Sequence, residues 1–312
     1  MKHKSPLAAA ALVLAVLLAM LTLSACGSGT DADADTTAPA GGIALVDQTG
    51  RDVILAAPAT KTVALAASDA EILYALGAGG TVVGRGEYCD WPSEVLDVPA
   101  VSSGAETNIE QIIALEPELV FMNTMAQTPE QVEQLEAAGI AVYSSDAKTI
   151  EETYSSIRDF GTLTGKEAEA EGIIETMKAT FDAATADKVD GGTIYFEVSP
   201  LEWGLWAAGS GTFMNEAAEL VGLTNVFADL EGYAEVSEEQ VIERNPDYIL
   251  TITMYYGEGL QPVEELLQRP GWETVAAIQN QAIIELPNNE LSRPGPRLAE
   301  GVQALSDFVH GR

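Results

Sequence analysis

Aromatic, sulfur-containing and arginine side chains stand where predicted β-strands end and loops begin. Open α/β sheets place their ligand sites at these carboxyl ends of strands. Aromatic rings bury area at low entropic cost and arginine offers a rigid fork of donors, which suits a bulky, flat or anionic small molecule. The residues with this placement are Tyr88, Trp91, Met122, Met125, Trp203, Trp206, Tyr233, Met254, Tyr255, Tyr256 and Arg293. Taken singly, each is also explained by core or rim packing, and only their common placement favours a binding site.

Residues for hydrolytic or metal chemistry are scarce. The two histidines, His3 and His310, lie near the chain ends, and the two cysteines, Cys26 and Cys89, lie far apart. This count excludes a Cys/His zinc site and leaves a Ser-His-Asp hydrolase without an internal base. We therefore predict no catalytic residue, metal ligand or resident cofactor, and interpret Cys89 as a small buried hydrophobe. Paired carboxylates are abundant enough to keep an exported α/β enzyme as an alternative.

The chain is strongly acidic. Its 312 residues include 15 Lys and Arg against 48 Asp and Glu, which gives a formal charge of −33. With 47% hydrophobic and 20% charged residues, the composition is typical of one or two globular domains with a substantial core. Because such a surface repels phosphate backbones, we expect no nucleic-acid partner.

The first 25 residues have the order of a secretory signal peptide. A basic stretch at 2–4 precedes an apolar run at 7–23 and a small-residue cleavage site. An uncleaved membrane anchor is the alternative, although a span takes ~20 apolar residues. The sequence LSAC at 23–26 resembles the bacterial lipobox, which implies cleavage before Cys26 and acylation of its thiol. The Gly-, Ala-, Thr- and Asp-rich stretch 26–42 is then a lipidated flexible tether.

The rest of the chain alternates short β-rich runs with helical patterns, which is typical of a parallel α/β sheet. Residues 43–55 predict a β-hairpin around Gln48-Thr49-Gly50, and Ser68 and Glu71 stand at capping-box spacing before a helix. A long polar helical tract then interrupts the alternation. We predict an α/β fold of two βα-type lobes with a cleft between them, linked by a single long helix. The predicted parts are an N-terminal α/β lobe (43–160), a linking helix (161–190) and a C-terminal α/β lobe (191–312).

Two segments that lie 129 positions apart repeat one pattern. IEQIIALEPELV at 109–120 and EEQVIERNPDYI at 238–249 each follow an N-cap type of residue, Asn108 or Ser237, and each carries Gln three positions after it. This spacing predicts a helix with a capping box, ended by proline and followed by a strand. Two ordinary capped helices would share the same pattern, but we favour two lobes of related topology.

The order of several blocks resembles a known family, the substrate-binding proteins of ABC importers for cobalamin, ferric siderophores and haem. The resemblance covers about 43–312 and includes SDAEILYALGAGGTVVG, EYCDWP, NIEQIIALEPELV, AAGSGTFMNEAAELVGLTNVF, VSEEQVIERNPDYIL and SRPGPRLAEGVQALSDFV. It implies a periplasmic-binding-protein-like fold with a helical backbone. It also implies capture of an iron-siderophore or cobalamin-type metal chelate, without catalysis, and delivery to an ABC permease with its cytoplasmic ATPase. The protein would act outside the cytoplasm, anchored to the bacterial membrane through lipid on Cys26.

The resemblance assigns a docking role to two glutamates. In this family a glutamate on top of each lobe pairs with arginines of the permease, and those positions correspond to Glu110 and Glu239. Both are predicted at the second position of a capped helix, on equivalent faces of the two lobes. The alternative explanation is stabilisation of the helix dipole, worth ~0.3–1 kcal/mol each.

The ligand stays open among several chelates. Tyr88, Tyr233 and Arg293 correspond to ligand-contacting positions of cobalamin binders, whereas two aromatic positions of that pocket correspond to Gly104 and Asn123. Of these two, Asn123 is included among the predicted ligand-binding residues. A haem-binding protein of the same family would use a tyrosine such as Tyr88, and siderophore binders use arginines and aromatic residues. A ligand-sensing lipoprotein without a transport role is a further alternative.

Overall fold

The chain is described by a computed structural model, which covers residues 41–104, 106–125, 127–252 and 260–311. The predicted signal peptide, Cys26 with most of its tether, and both Tyr255 and Tyr256 lie outside the described residues. Among the helices that are described, none combines the length and the hydropathy needed to cross a bilayer.

The N-terminal lobe is built on a parallel sheet preceded by the predicted hairpin. The hairpin consists of β1 (Ile43–Val46) and β2 (Asp52–Leu55), which pair antiparallel. The lobe continues with β3 (Thr62–Ala64), α1 (Ala67–Ala75), β4 (Val82–Gly86), β5 (Ala100–Val101), α2 (Ile109–Ala114), β6 (Leu119–Asn123), α3 (Pro129–Ala137), β7 (Ala141–Ser145) and α4 (Ile150–Thr164). The strand order is β5-β4-β3-β6-β7, all parallel. Every residue of β6 is buried, as expected for a central strand covered on both faces.

A single long helix, α5 (Glu167–Thr185), leads from this lobe to the next. Gly165 ends α4 in the left-handed conformation, with φ 68°, so the chain turns before α5 begins. The linking helix therefore starts later than the predicted residue 161 and ends before the predicted residue 190.

The C-terminal lobe has a mixed sheet. Its elements are β8 (Thr193–Glu197), β9 (Leu205–Ala208), α6 (Phe213–Val221), β10 (Thr224–Asn225), β11 (Tyr233–Val236), α7 (Glu238–Arg244), β12 (Tyr248–Thr251), α8 (Pro262–Gln268), α9 (Ala276–Gln279), β13 (Ile283–Glu285), α10 (Asn288–Ser292) and α11 (Leu298–Val309). The strand order is β11-β9-β8-β12-β13, with β10 beside the start of β8. Strands β8, β12 and β13 are parallel, but β9 and β11 pair antiparallel. The expectation of a purely parallel sheet is wrong for these two strands. Short 3₁₀ turns lie at Gly79–Thr81, Ser93–Asp97 and Leu201–Trp203.

The two repeated segments form equivalent capped helices, α2 and α7. Asn108 Oδ1 accepts from the Gln111 backbone N–H at 3.0 Å, and Ser237 Oγ accepts from the Gln240 backbone N–H at 3.3 Å. The reciprocal half of the capping box exists only in the second copy, where the Ser237 N–H donates to Gln240 Oε1 at 2.9 Å. In the first copy the Gln111 side chain donates to the Ala100 carbonyl instead.

The equivalence extends beyond the helices. Each helix is followed by a non-glycine residue with positive φ, Glu116 at 52° and Asn245 at 44°, and then by proline. The strands that follow also take equivalent places, because β6 pairs with β3 and β12 pairs with β8, both in parallel. The two lobes therefore share the capped helix, the proline and the following strand that the repeat predicts, and in both lobes that strand pairs in parallel.

The predicted capping box at Ser68 and Glu71 is wrong. Helix α1 begins at Ala67 behind Ala66, without a side-chain cap. Ser68 and Glu71 are both buried, and the Glu71 carboxylate accepts from two arginines near the C-terminus. The Glu71 side chain therefore makes tertiary contacts instead of the capping contact that its spacing from Ser68 predicts.

A continuous hydrophobic core runs through both lobes and the linking helix. Helix α5 buries Ala170, Ile174, Met177 and Phe181, spaced three or four residues apart, against α4 and α11. The same cluster includes Phe121 on β6 of the N-terminal lobe, Phe196 on β8 of the C-terminal lobe and Leu305 on α11. Both lobes belong to one compact unit of the chain.

Candidate ligand-binding cleft

A cavity of about 240 Å³ opens between the two lobes. On the N-terminal side it begins where β6 and β7 end, and on the C-terminal side it meets the start of α6 and of β11. Its lining residues are Asn123, Met125, Asp146, Ala147, Lys148, Gly211, Thr212, Phe213, Tyr233, Ser292 and Pro294. The cavity thus lies at the carboxyl ends of parallel strands, where α/β sheets carry their ligand sites.

Hydrogen bonds fix the polar residues under the cavity. Asn123 is 9% exposed, and its Oδ1 accepts from the Met125 N–H at 2.8 Å while its Nδ2 donates to Ser145 Oγ at 3.4 Å. Ser145 Oγ in turn lies 3.1 Å from Asp69 Oδ1. Asp69 Oδ2 has no hydrogen-bond partner among the described residues. Burial raises the pKa of Asp69 to about 7, although its bond with Ser145 opposes that shift.

The C-terminal side of the cleft presents an exposed aromatic face. In the antiparallel pair of β9 and β11, Trp206 is opposite Glu235 and Tyr233 is opposite Ala208. Because side chains alternate along a strand, Tyr233 and Glu235 point to one face, and both are exposed. Trp206 and Tyr233 are each 38% exposed, and Trp203, in the preceding 3₁₀ turn, is 61% exposed.

Arg293 is the residue between Ser292 and Pro294 of the cavity wall, and its guanidinium is held by carboxylates of the N-terminal lobe. Its Nη1 is 2.8 Å from Glu71 Oε1 and 2.6 Å from Asp90 Oδ1. Arg297 joins the same carboxylate, with Nη2 2.7 Å from Glu71 Oε1, and its guanidinium lies 4.6 Å from the Trp91 ring centroid. Trp91 lines a groove between α1 and α11 rather than the cavity. This cluster joins the chain beyond α10 to the N-terminal lobe.

The loop after β4 carries two further residues of interest. Tyr88 is 75% exposed, whereas the neighbouring Cys89 is fully buried. Burial raises the pKa of the Cys89 thiol to about 12, so its thiol stays protonated and unreactive. Of the residues singled out in the sequence, the structure brings Asn123, Met125 and Tyr233 to the cavity wall.

The remaining lining residues were missed from the sequence. Asp146 and Lys148 follow β7, and Thr212, the N-cap of α6, donates its own hydroxyl to Gly209 and accepts from the Asn215 N–H at 3.2 Å. The end of a predicted strand could have pointed to Asp146 and Lys148. Nothing in the local pattern of Phe213 or Ser292 distinguishes them from core residues.

The two predicted docking glutamates are placed alike. Glu110 and Glu239 occupy the first turns of α2 and α7, and both are exposed. Their neighbour Glu238 is different, because its carboxylate accepts from Trp272 Nε1 at 2.9 Å. Hydrogen bonds from its own backbone N–H and from the Ser237 hydroxyl lower the pKa of Glu239, so it is charged at neutral pH.

Within the described residues, no group of three or more His, Cys, Asp or Glu side chains is arranged to hold a metal ion. The arrangement offers a concave surface with aromatic and amide groups. What it can do chemically is bind a molecule between the lobes.

Two α/β lobes, one long helix between them and a ligand cavity at the strand ends define a bilobal solute-binding protein. The chain belongs to the periplasmic binding protein family, since the model of that family matches residues 62–290.

Relatives with known names support this assignment. The chain is 32% identical over 276 residues to an uncharacterized ABC transporter substrate-binding lipoprotein, YvrC, of Bacillus subtilis (strain 168), which covers 86% of this chain and 85% of that protein. It is 26% identical over 253 residues to the vitamin B12-binding protein of Vibrio cholerae serotype O1. That match covers 81% of this chain and 90% of the vitamin B12-binding protein. A crystal structure of a possible iron-binding (periplasmic solute-binding) protein from Staphylococcus epidermidis ATCC 12228 aligns with a TM-score of 0.68 and 28% identity, over 81% of this chain and 99% of that one.

These comparisons confirm the predicted family and fold class. The predicted function class, a substrate-binding protein of an ABC importer, is confirmed with them. The roles of individual cleft residues and of Glu110 and Glu239 stay predictions.

Proposed function

We propose that this protein is the lipid-anchored, extracytoplasmic binding component of an ABC importer, and that its cargo is a bulky metal chelate of the corrinoid or iron-siderophore type. The observation that carries the proposal is the cavity between the lobes, which is lined by the exposed ring of Tyr233 and by buried Asn123. A second exposed ring, Trp206, lies on the strand that pairs with that of Tyr233. Aromatic faces and a few fixed polar groups suit a large, rigid ligand. The names of the relatives, among them a vitamin B12-binding protein, agree with this class of cargo.

The size of the cavity indicates how such a ligand would sit. Ligand pockets commonly measure about 300–1,000 Å³, whereas this cavity measures about 240 Å³. It would therefore hold only one part of the chelate. The remainder would contact Met125, a lining residue that is 83% exposed. Tyr88, which is 75% exposed on the loop after β4, is a further proposed contact. Tyr255 and Tyr256 belong to the predicted site as well but lie outside the described residues.

Delivery of the cargo involves a permease with a cytoplasmic ATPase. We assign Glu110 and Glu239 to docking because they lie at the same position of two equivalent helices and both are exposed, whereas the neighbouring Glu238 accepts a hydrogen bond from Trp272. Cys26, acylated at the start of the mature chain, would keep the protein near that permease. In this role the protein binds and releases its cargo and catalyses no reaction.

The test is a binding assay on the soluble protein that starts at residue 27. Cyanocobalamin, ferric siderophores and haem are added separately, and absorption spectra and native mass are recorded. We expect a one-to-one complex with at least one chelate. Replacing Tyr233 with Ala should weaken that complex by about tenfold or more, which is 1.4 kcal/mol, while the control Ile54→Ala, an exposed change on the hairpin, should not. Absence of binding to every chelate would overturn the proposal.

A further inference from the structure

Arg293, whose chain neighbours Ser292 and Pro294 line the cavity, is already neutralised. Arg293 shares Glu71 with Arg297 and also pairs with Asp90. The four side chains carry two positive and two negative charges, so their sum is zero. Glu71 is 2% exposed and Arg293 18%, whereas Asp90 is 54% exposed. Asp90 is therefore the member of the cluster that faces solvent beside Arg293.

The other cations at the cleft are occupied too. Lys148 is the one positively charged residue among the described lining residues, and its Nζ lies 3.0 Å from Asp146 Oδ2. Asp146 is the main cause of the raised pKa of Lys148, and Glu231 contributes from the opposite lobe. Arg85, on β4, donates to the backbone carbonyls of the loop that follows it.

The internal residues that lie outside the described ranges, 105, 126 and 253–259, include no lysine, arginine or histidine. The segment 253–259 reads TMYYGEG, and residues 105 and 126 are alanines. Among the described residues at and beside the cleft, Arg293, Lys148 and Arg85 thus each already have a carboxylate or carbonyl partner, while the chain as a whole carries a formal charge of −33.

We propose that the cleft selects uncharged or cationic chelates over anionic ones, and that Asp90 sets this preference by occupying the guanidinium of Arg293. This inference rests on the proposed function and narrows its cargo. An anionic ligand would have to displace Asp90 from Arg293 or bury its own charge without a partner, and both are unfavourable. The negative surface also slows the approach of anions. An uncharged, amide-bearing ligand meets neither penalty.

The experiment compares two pairs of probes on the same soluble protein. Cyanocobalamin is uncharged and ferrioxamine B is cationic, whereas haem carries carboxylates and ferric enterobactin is strongly anionic. Dissociation constants are measured by fluorescence quenching or calorimetry at low and at high salt. For the unmodified protein we expect binding of at least one probe of the first pair, and at least tenfold weaker binding of both anionic probes.

The decisive variant is Asp90→Asn, which removes one negative charge beside Arg293 and keeps the shape of the side chain. Affinity for an anionic probe should rise by about tenfold, or 1.4 kcal/mol, and this gain should shrink at high salt. Glu175→Gln makes the same charge change on the exposed face of α5 and should give no such gain.

The outcomes separate this inference from the function on which it rests. Tight binding of haem or ferric enterobactin to the unmodified protein would overturn the charge preference and leave the chelate-binding function intact. Equal gains in Asp90→Asn and Glu175→Gln would overturn the role of Asp90. Failure of all four probes to bind would overturn both proposals.

Discussion

Glu118 and Asp247, which lie 129 positions apart, hold the same place in the two lobes. Glu118 Oε2 accepts from the backbone N–H of Thr60 at 2.6 Å, just before β3. Asp247 Oδ2 accepts from the N–H and the hydroxyl of Thr193, both at 2.9 Å, at the start of β8. Each carboxylate thus ties the residue after a helix-ending proline to the strand beside it. The repeat in the sequence is therefore a repeat of tertiary contacts.

The first prediction concerns acid stability. The backbone N–H of Thr60 is the main cause of the lowered pKa of Glu118. Because the folded pKa is depressed, the stabilisation is present at neutral pH and is lost as the pH falls through the folded pKa, below about 4.3. Glu118→Gln should cost less than about 1 kcal/mol at pH 7, since the site is exposed, and the cost should vanish near pH 3. Urea unfolding at both pH values measures this; a cost that is the same at both would contradict it.

The second prediction concerns the buried carboxylate that joins the C-terminal segment to α1. Glu71→Gln leaves Arg293 and Arg297 without their shared counter-charge, and breaking a buried ion pair costs about 3–5 kcal/mol. The matched change Asp90→Asn affects a half-exposed partner of the same arginine and should cost less than about 1 kcal/mol. Denaturant unfolding of both variants tests the difference. Similar costs would show that Glu71 is not the central member of the cluster.

The third prediction concerns Asp69, whose pKa is raised to about 7 by burial. Between the ordinary pKa of an aspartate and pH 7, the folded protein holds a proton that the unfolded chain has lost, so stability falls as the pH rises, by up to about 1.4 kcal/mol per pH unit. Asp69→Asn should remove this slope, and the variant should gain stability relative to the unmodified protein from pH 5 to pH 8. Asp52→Asn, the same change at an exposed aspartate of β2, serves as the control. Parallel pH profiles for the protein and Asp69→Asn would contradict the prediction.

The fourth prediction concerns docking. Glu110→Ala combined with Glu239→Ala should leave chelate affinity unchanged and abolish uptake by cells or vesicles that contain the permease. Each single change should lower uptake less, because one contact per lobe remains. Thermal unfolding should shift little, since the dipole contribution is ~0.3–1 kcal/mol per residue. Glu243→Ala, also on α7, is the control. A loss of ligand affinity in the double variant would refute the docking role.

The sequence by itself determined the family, the two-lobed α/β architecture and the repeated capped helices, because these depend on local periodicity, caps and breakers. Asn108 and Ser237 cap their helices as the spacing predicts. It also located Asn123 at the end of a strand, and the ends of parallel strands meet at one edge of a sheet. Tyr233 instead begins β11, which pairs antiparallel with β9, so its predicted place after a strand end is wrong although it lines the cavity.

Only the tertiary structure decided how the charged residues are used. Ser68 and Glu71 have the spacing of a capping box, yet Glu71 is drawn to Arg293, 222 positions away. The sequence predicted that Arg293 donates to the ligand, but its charge is neutralised by Glu71 and Asp90. The antiparallel pairing of β9 and β11 could not be predicted from the sequence either. Ion pairs and strand pairs between distant segments depend on which residues are buried and on which segments the fold brings together. The local sequence pattern does not contain this information.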